Sequence, residues 1–142
     1  MGFTANAGDI LSFEWNFLTD EVTDASLPKN DTAFLTLVNN TSLSANVITL
    51  GSVSDSVFST GGLGFARATG TTVFSQTLSA GDYSLGFVVV DDVDRIVSSG
   101  LVIDNVQVRV VPEPSSVLSV LVLGAIALLT KPKIKTNSQD DH

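Results

Sequence analysis

The chain has 142 residues, no cysteine, one histidine (His142, the last residue) and a formal net charge of -8, from 15 acidic against 7 basic side chains. Disulfides, thiolate zinc sites and cysteine nucleophiles are therefore excluded, and a lone terminal histidine leaves nothing from which to build a catalytic triad or a histidine metal cluster. The acidic excess argues against a nucleic-acid binder, which needs a basic patch for phosphates, and 44% hydrophobic against 15% charged residues argues against a disordered chain.

Met1 leads almost directly into strand-like sequence, with no charged or apolar leader in front of it. Residues 9–18 alternate, with Leu11, Phe13, Trp15 and Phe17 on one face and Ser12, Glu14 and Asn16 on the other, the period of a half-buried strand. Residues 32–38 and 46–50 are short, rich in Thr, Val, Ile and Leu, and bounded by Asn/Ser clusters. Residues 71–78 place Phe74 and Leu78 opposite Val73 and Ser75, and Gly81-Asp82 signals a turn. Residues 83–90 put Tyr83, Leu85, Phe87 and Val89 on one side; the other side is partly apolar, which predicts a central strand. Residues 101–111 form the last strand. Gly61, Gly62 and Gly64 mark a loop, because no phosphate-binding motif accompanies them. No stretch of this body has helical apolar spacing. Roughly seven short strands separated by turn signals predict an all-β fold, an antiparallel sandwich of jelly-roll type, over residues 1–110.

The remainder is a different physical object. Residues 1–112 hold Lys29, Arg67, Arg95 and Arg109 against 12 acids and so carry the whole net charge, whereas residues 113–142 balance three lysines against three acids. The tail opens with a linker, Val111, Pro112, Glu113, Pro114, Ser115 and Ser116. Its prolines stop the last strand, since each lacks an N–H and has a fixed φ. An apolar run follows at 117–129. As a helix it is roughly 20 Å long, and with flanking Ser and Thr roughly 24 Å, against a hydrocarbon core of ~30 Å. The run is apolar all round, which distinguishes it from an amphipathic core helix, and it predicts a short transmembrane helix over 117–130. Lys131, Lys133 and Lys135 stop it in a basic and polar tail, 131–142; they complement the helix dipole and stay cytoplasmic by the positive-inside rule, leaving the body outside the inner membrane.

Pro-Glu-Pro, a short apolar helix and a C-terminal basic cluster, in this order, resemble the PEP-CTERM sorting signal of Gram-negative bacteria. The resemblance implies recognition by exosortase, a membrane cysteine transpeptidase that cuts near the Pro-Glu-Pro and delivers the body to the cell surface. The chain departs from that pattern in the seven residues, 136–142, that follow the basic cluster. Residues 6–21 (NAGDILSFEWNFLTDE), 31–37 (DTAFLTL), 83–91 (YSLGFVVVD) and 101–106 (LVIDNV) also resemble a β-sandwich domain recurrent in cyanobacterial and other PEP-CTERM proteins. In that family further strands and a secretion signal precede the segment matching Phe3, which implies that N-terminal strands are missing ahead of Met1. The family implies a fold and a location but no chemistry.

Candidate chemistry is sparse. In the last strand Asp104 shares parity with Val102, Val106, Val108 and Val110, and a carboxylate on an apolar face requires a partner. The preceding loop carries Asp91, Asp92 and Asp94. Clustered hard oxygen donors suit Ca²⁺, so a structural Ca²⁺ held by some of Asp91, Asp92, Asp94 and Asp104 is one reading. The other is a solvated turn with Asp104 bonded to backbone N–H groups, favoured by the absence of a DxDxDG loop. Trp15 offers a sugar-stacking face but shares its side with Leu11, Phe13 and Phe17, so it reads as core; Tyr83 reads likewise, with its hydroxyl at an edge. Glu14, Glu21 and the Asp cluster supply carboxylates for a glycosidase pair, which linear spacing cannot place across a cleft. Asn30 and Asn39 open Asn-x-Thr sequons that read as turns in a bacterial protein. The expectation is a non-enzymatic envelope or extracellular-matrix protein with a structural or adhesive body and no required cofactor. Its partners are exosortase and the inner membrane, with extracellular polysaccharide as the further candidate. A carbohydrate-binding module is the alternative, and a hydrolase comes third.

Overall fold

The computed structural model describes residues 1–21, 30–54, 57–91 and 97–112. The chain divides into two compact units, Met1–Val111 and Pro112–His142. All of the second beyond Pro112 lies outside the described residues, and with it the expected transmembrane helix, Glu113 to Ser116 of the expected sorting motif and the expected basic cluster Lys131, Lys133 and Lys135. Among the described residues no helix is long and apolar enough to cross a membrane.

The body is all-β and antiparallel. Its strands are β1 (Gly2–Ala5), β2 (Ile10–Thr19), β3 (Thr32–Asn39), β4 (Ser44–Ser52), β5 (Ser59–Thr60), β6 (Arg67–Ala68), β7 (Thr72–Thr77), β8 (Gly81–Val90) and β9 (Ser99–Arg109). One sheet has the order β1-β8-β3-β4. In the other, β9 pairs along the whole of β2, and β7 and β6 share the opposite edge of β2 in succession, with β5 beyond β6. Between β6 and β7 the ladder is replaced by a side chain: the Phe17 N–H donates to Thr69 Oγ1 (3.0 Å) while the Thr69 N–H donates to the Phe17 carbonyl (2.9 Å).

The period of two in β2 decides how the sheets meet. Leu11, Phe13 and Phe17 are fully buried, and Trp15 is half-buried against both core clusters. From the facing sheet come Ala33, Leu35, Leu37, Tyr83 and Leu85. Phe13 joins the layers, stacking on Phe74 (centroids 4.8 Å apart) and meeting Phe87 edge-on at 5.0 Å. Each such side chain contributes about 1.5–3 kcal/mol on burial. The expected central position of residues 83–90 is correct, for β8 lies between β1 and β3.

Several boundaries differ from expectation. The second strand of the β3–β4 hairpin begins at Ser44, because Asn39 Oδ1 accepts the N–H groups of Thr41 and Ser42 (both 3.0 Å) and closes the turn at once. That is the turn role expected for this sequon. Gly81-Asp82 is the start of β8, not a turn. The Gly61–Gly64 loop is a tight hairpin between β5 and β6. The Phe65 N–H donates to the Gly62 carbonyl (3.1 Å), with Leu63 (φ 56°) and Gly64 (φ 93°) both left-handed, as a type I′ turn requires.

Asp9 closes one end of the body. Its carboxylate is 2% exposed; Oδ2 accepts the Asn6 N–H (2.8 Å) and Asn6 Nδ2 (3.4 Å), and Oδ1 accepts the Val111 N–H (3.1 Å). The β1–β2 turn is thereby tied to the residue at which the body hands over to Pro112. The opposite end holds Asp20, Glu21 and Asp31. Asp20 Oδ1 accepts the Ala66 N–H (2.7 Å), and the Glu21 carbonyl accepts Arg67 Nη1 (2.7 Å), whose guanidinium lies 4.1 Å from the Phe58 ring centroid.

Candidate functional site

Strand alternation requires apolar side chains on the inner faces of both sheets. At one corner, beside the Asp9 end, the chain departs from that rule. Asn46 stands directly opposite Leu37 in the β3–β4 ladder, and Ser44 opposite Asn39. Gln76 stands directly opposite Leu11 in the β2–β7 ladder. Leu37 and Leu11 are fully buried core residues, so their ladder partners also point between the sheets. On this inward-turned side three residues are therefore amides or hydroxyls; Ser44 and Asn46, on the edge strand, are exposed and Gln76 is half-buried.

The result is a cleft of about 270 Å³ between the edge strand β4 and β7. Leu37 and Leu78 supply apolar surface, and Ser79 and the Tyr83 hydroxyl complete the polar wall. No charged residue lines it among the described residues. Part of the wall is rigid. Tyr83 is buried with its ring stacked on Phe3 (5.3 Å, interplanar 9°), and its hydroxyl donates to the Ser79 carbonyl (3.0 Å) and lies 2.9 Å from Ser79 Oγ. Tyr83 is thus the expected core residue with its hydroxyl at an edge. Asn39, 3% exposed, is held by the two turn N–H groups. By contrast, no hydrogen bond engages the Asn46 or Gln76 amide among the described residues. Asn46 is hidden in the linear pattern because it stands at the start of a short strand with no face assigned, whereas Gln76 shares the parity of Phe74 and Leu78 and its direction is legible. Pairing β3 with β4 through the Asn39 turn is the signal that would have found Asn46.

Asp104 does not lie on an apolar face, and the parity argument for it is corrected by a β-bulge. Ser12 pairs with Gln107 but Glu14 pairs with Asp104, so Phe13 faces two residues, Asn105 and Val106. Asn105 is left-handed (φ 52°). The extra residue reverses the alternation: Ile103, Val106 and Val108 pack on the core, while Val102 and Asp104 turn outward. Asp104 is exposed and accepts the Asn105 N–H at 2.7 Å, a backbone bond of the kind weighed against metal binding. It sits about five residues, roughly 16 Å, along β9 from Ser99, whereas exposed Asp91 leaves the far end of β8 in the other sheet. The structure does not bring Asp91 and Asp104 together. Asp92 and Asp94 lie outside the described residues, among which no group of three or more acidic, His or Cys side chains is placed to hold a metal.

Asp104 instead opposes Glu14 across the ladder, beside a shallow groove of about 130 Å³ that Asn16, Thr71 and Leu63 also line. Like charges placed directly opposite repel. The Glu14 and Glu21 backbones are roughly 16 Å or more apart along β2, beyond the ~5–9.5 Å that separates paired glycosidase carboxyl groups, and Glu21 is buried. Val111 and Pro112, the first two residues of the expected sorting motif, follow one residue after β9 ends at Arg109. No family model, curated protein or solved structure matches the chain.

Proposed function

We propose that the chain is a sorted cell-envelope protein whose all-β body is structural or adhesive and whose C-terminal segment is a PEP-CTERM-type signal processed by an exosortase-type transpeptidase. The observation that carries this reading is the order Pro112-Glu113-Pro114, an uncharged apolar run at 117–129, then Lys131, Lys133 and Lys135, following immediately on the last strand. A run of this length is marginal for spanning, and the flanking lysines reach the interface by snorkelling. The signal requires a folded body that ends where the linker begins. In support, β9 ends at Arg109, the Asp9 carboxylate bonds the Val111 N–H, and Pro112 then has no N–H with which to extend the ladder.

We read the body as a jelly roll. β3 with β4, β2 with β7 and β1 with β8 are nested antiparallel pairs, as in one long hairpin rolled up with its tip at the β3–β4 turn. The body would stand outside the inner membrane and leave for the surface on cleavage.

The test is to replace Pro112, Glu113 and Pro114 together by alanine in a host that carries the transpeptidase. The variant should accumulate in the membrane as the uncut precursor. Appearance of the processed product at the parental level refutes the sorting reading.

A further inference from the structure

We propose that the uncharged cleft between β4 and β7 binds a neutral saccharide. The proposal does not depend on where the chain is delivered. Its ground is the placement of Ser44, Asn46 and Gln76 on the inward-turned side of two edge strands, where Ser44 and Asn46 are exposed, Gln76 is half-buried and all three are open to a ligand. All three line one cavity.

The chemistry of the lining selects the ligand class. Amides and hydroxyls each offer donors and acceptors, the same dual capacity as sugar hydroxyls. The Asn46 and Gln76 amides are uncommitted among the described residues, while Tyr83 and Asn39 are held in place by Ser79 and the β3–β4 turn. Binding thus combines two adaptable groups with a pre-organised wall, which lowers the ordering cost. Leu37 and Leu78 present apolar surface to the C–H face of a sugar ring. Anions find no cationic partner in the lining and meet the field of a chain of net charge -8. Cations find no carboxylate. At about 270 Å³ the cleft falls just below the ~300–1,000 Å³ of drug-sized sites. That size suits a single ring, with the rest of the oligomer leaving past the exposed first half of β4.

The experiment is calorimetric titration of the full chain, kept in a zwitterionic, sugar-free detergent so that no glycoside headgroup competes. The probes are linear gluco-, galacto- and manno-configured tetrasaccharides, with tetragalacturonate as the anionic counterpart. At least one neutral oligomer should bind, with a dissociation constant on the order of 1 mM. Asn46→Leu and Gln76→Leu should each weaken binding about tenfold, the effect of losing one hydrogen bond. Both should leave the thermal midpoint nearly unchanged, because Asn46 is exposed, Gln76 is half-buried and neither amide holds a hydrogen bond among the described residues. Should either variant fail to fold, Ser44→Ala removes one hydroxyl from the same wall without adding bulk and should weaken binding in the same direction. The proposal is overturned if no neutral oligomer binds, if tetragalacturonate binds as well as the best of them, or if binding survives the substitutions in folded protein. A cleft that holds only water gives the first of these results.

Discussion

Replacing Asp9 separates two roles of one carboxylate. Oδ2 takes the Asn6 N–H at 2.8 Å together with Asn6 Nδ2, and Oδ1 takes the Val111 N–H at 3.1 Å, from 102 residues away. A hydrogen bond to a charged group contributes about 1.5–3 kcal/mol. Asp9→Ala removes two such bonds to backbone donors, but Val111 is 38% exposed, so water re-solvates its N–H in part. The net loss should be about 2–3 kcal/mol, a large fraction of the ~5–15 kcal/mol that holds a small domain folded. Asp9→Asn is the sharper probe. Its one remaining oxygen should stay where two donors converge, at Asn6, which turns the new NH₂ toward the Val111 N–H. Residue-resolved hydrogen exchange then tells the variants apart. In Asp9→Ala both the Asn6 and Val111 amides should lose protection, and in Asp9→Asn only Val111 should. Urea unfolding supplies the energy. An unchanged Val111 exchange rate in both variants, or a loss below about 0.5 kcal/mol in Asp9→Ala, would refute the idea that this carboxylate fastens the end of β9.

Two backbone predictions follow from left-handed residues. Asn105, at φ 52°, forms the bulge in β9; a β-branched side chain is an outlier there, so Asn105→Val should lower the urea midpoint by the equivalent of about 1–2 kcal/mol, while Asn105→Gly stays close to the parent. An Asn105→Val variant as stable as the parent would mean that the alternation of β9 runs unbroken and that Asp104 faces the core. Leu63, 80% exposed, occupies the first central position of a type I′ turn followed by Gly64. Leu63→Asn installs the favoured Asn-Gly pair and should raise stability by about 0.5–1 kcal/mol, read as a higher thermal midpoint.

The strands were legible wherever one face is dry and the other wet. Residues 9–18 and 83–90 alternate because each packs a single face on the core, and the side chains assigned to the inner face, Leu11, Phe13, Phe17, Tyr83 and Leu85, are the buried ones. Periodicity was silent about β1, β5 and β6, which are two to four residues long, too short to show a period. It was silent also about where the β3–β4 turn closes, because that boundary is drawn by the Asn39 side chain. Asn39 was read as part of a turn from its neighbours, but its amide oxygen makes the turn so tight that Ser44 is already paired.

The candidate sites show a sharper limit of linear reading. Charge is conspicuous in a sequence, and unbroken alternation would bury Asp104. One extra residue at Asn105 carries it to solvent, beside Glu14. Asn46 and Gln76 are inconspicuous in sequence, because amides are ordinary on strand surfaces and at strand ends. Gln76 shares the parity of Phe74 and Leu78, but the direction of Asn46 shows only once its ladder partner is known to be Leu37. In both cases the deciding quantity is register, a relation between strands set by bulges and turns. A shift of one residue exchanges the wet and dry faces, so a residue's chemistry is settled by its partner across the ladder before its own side chain has any say.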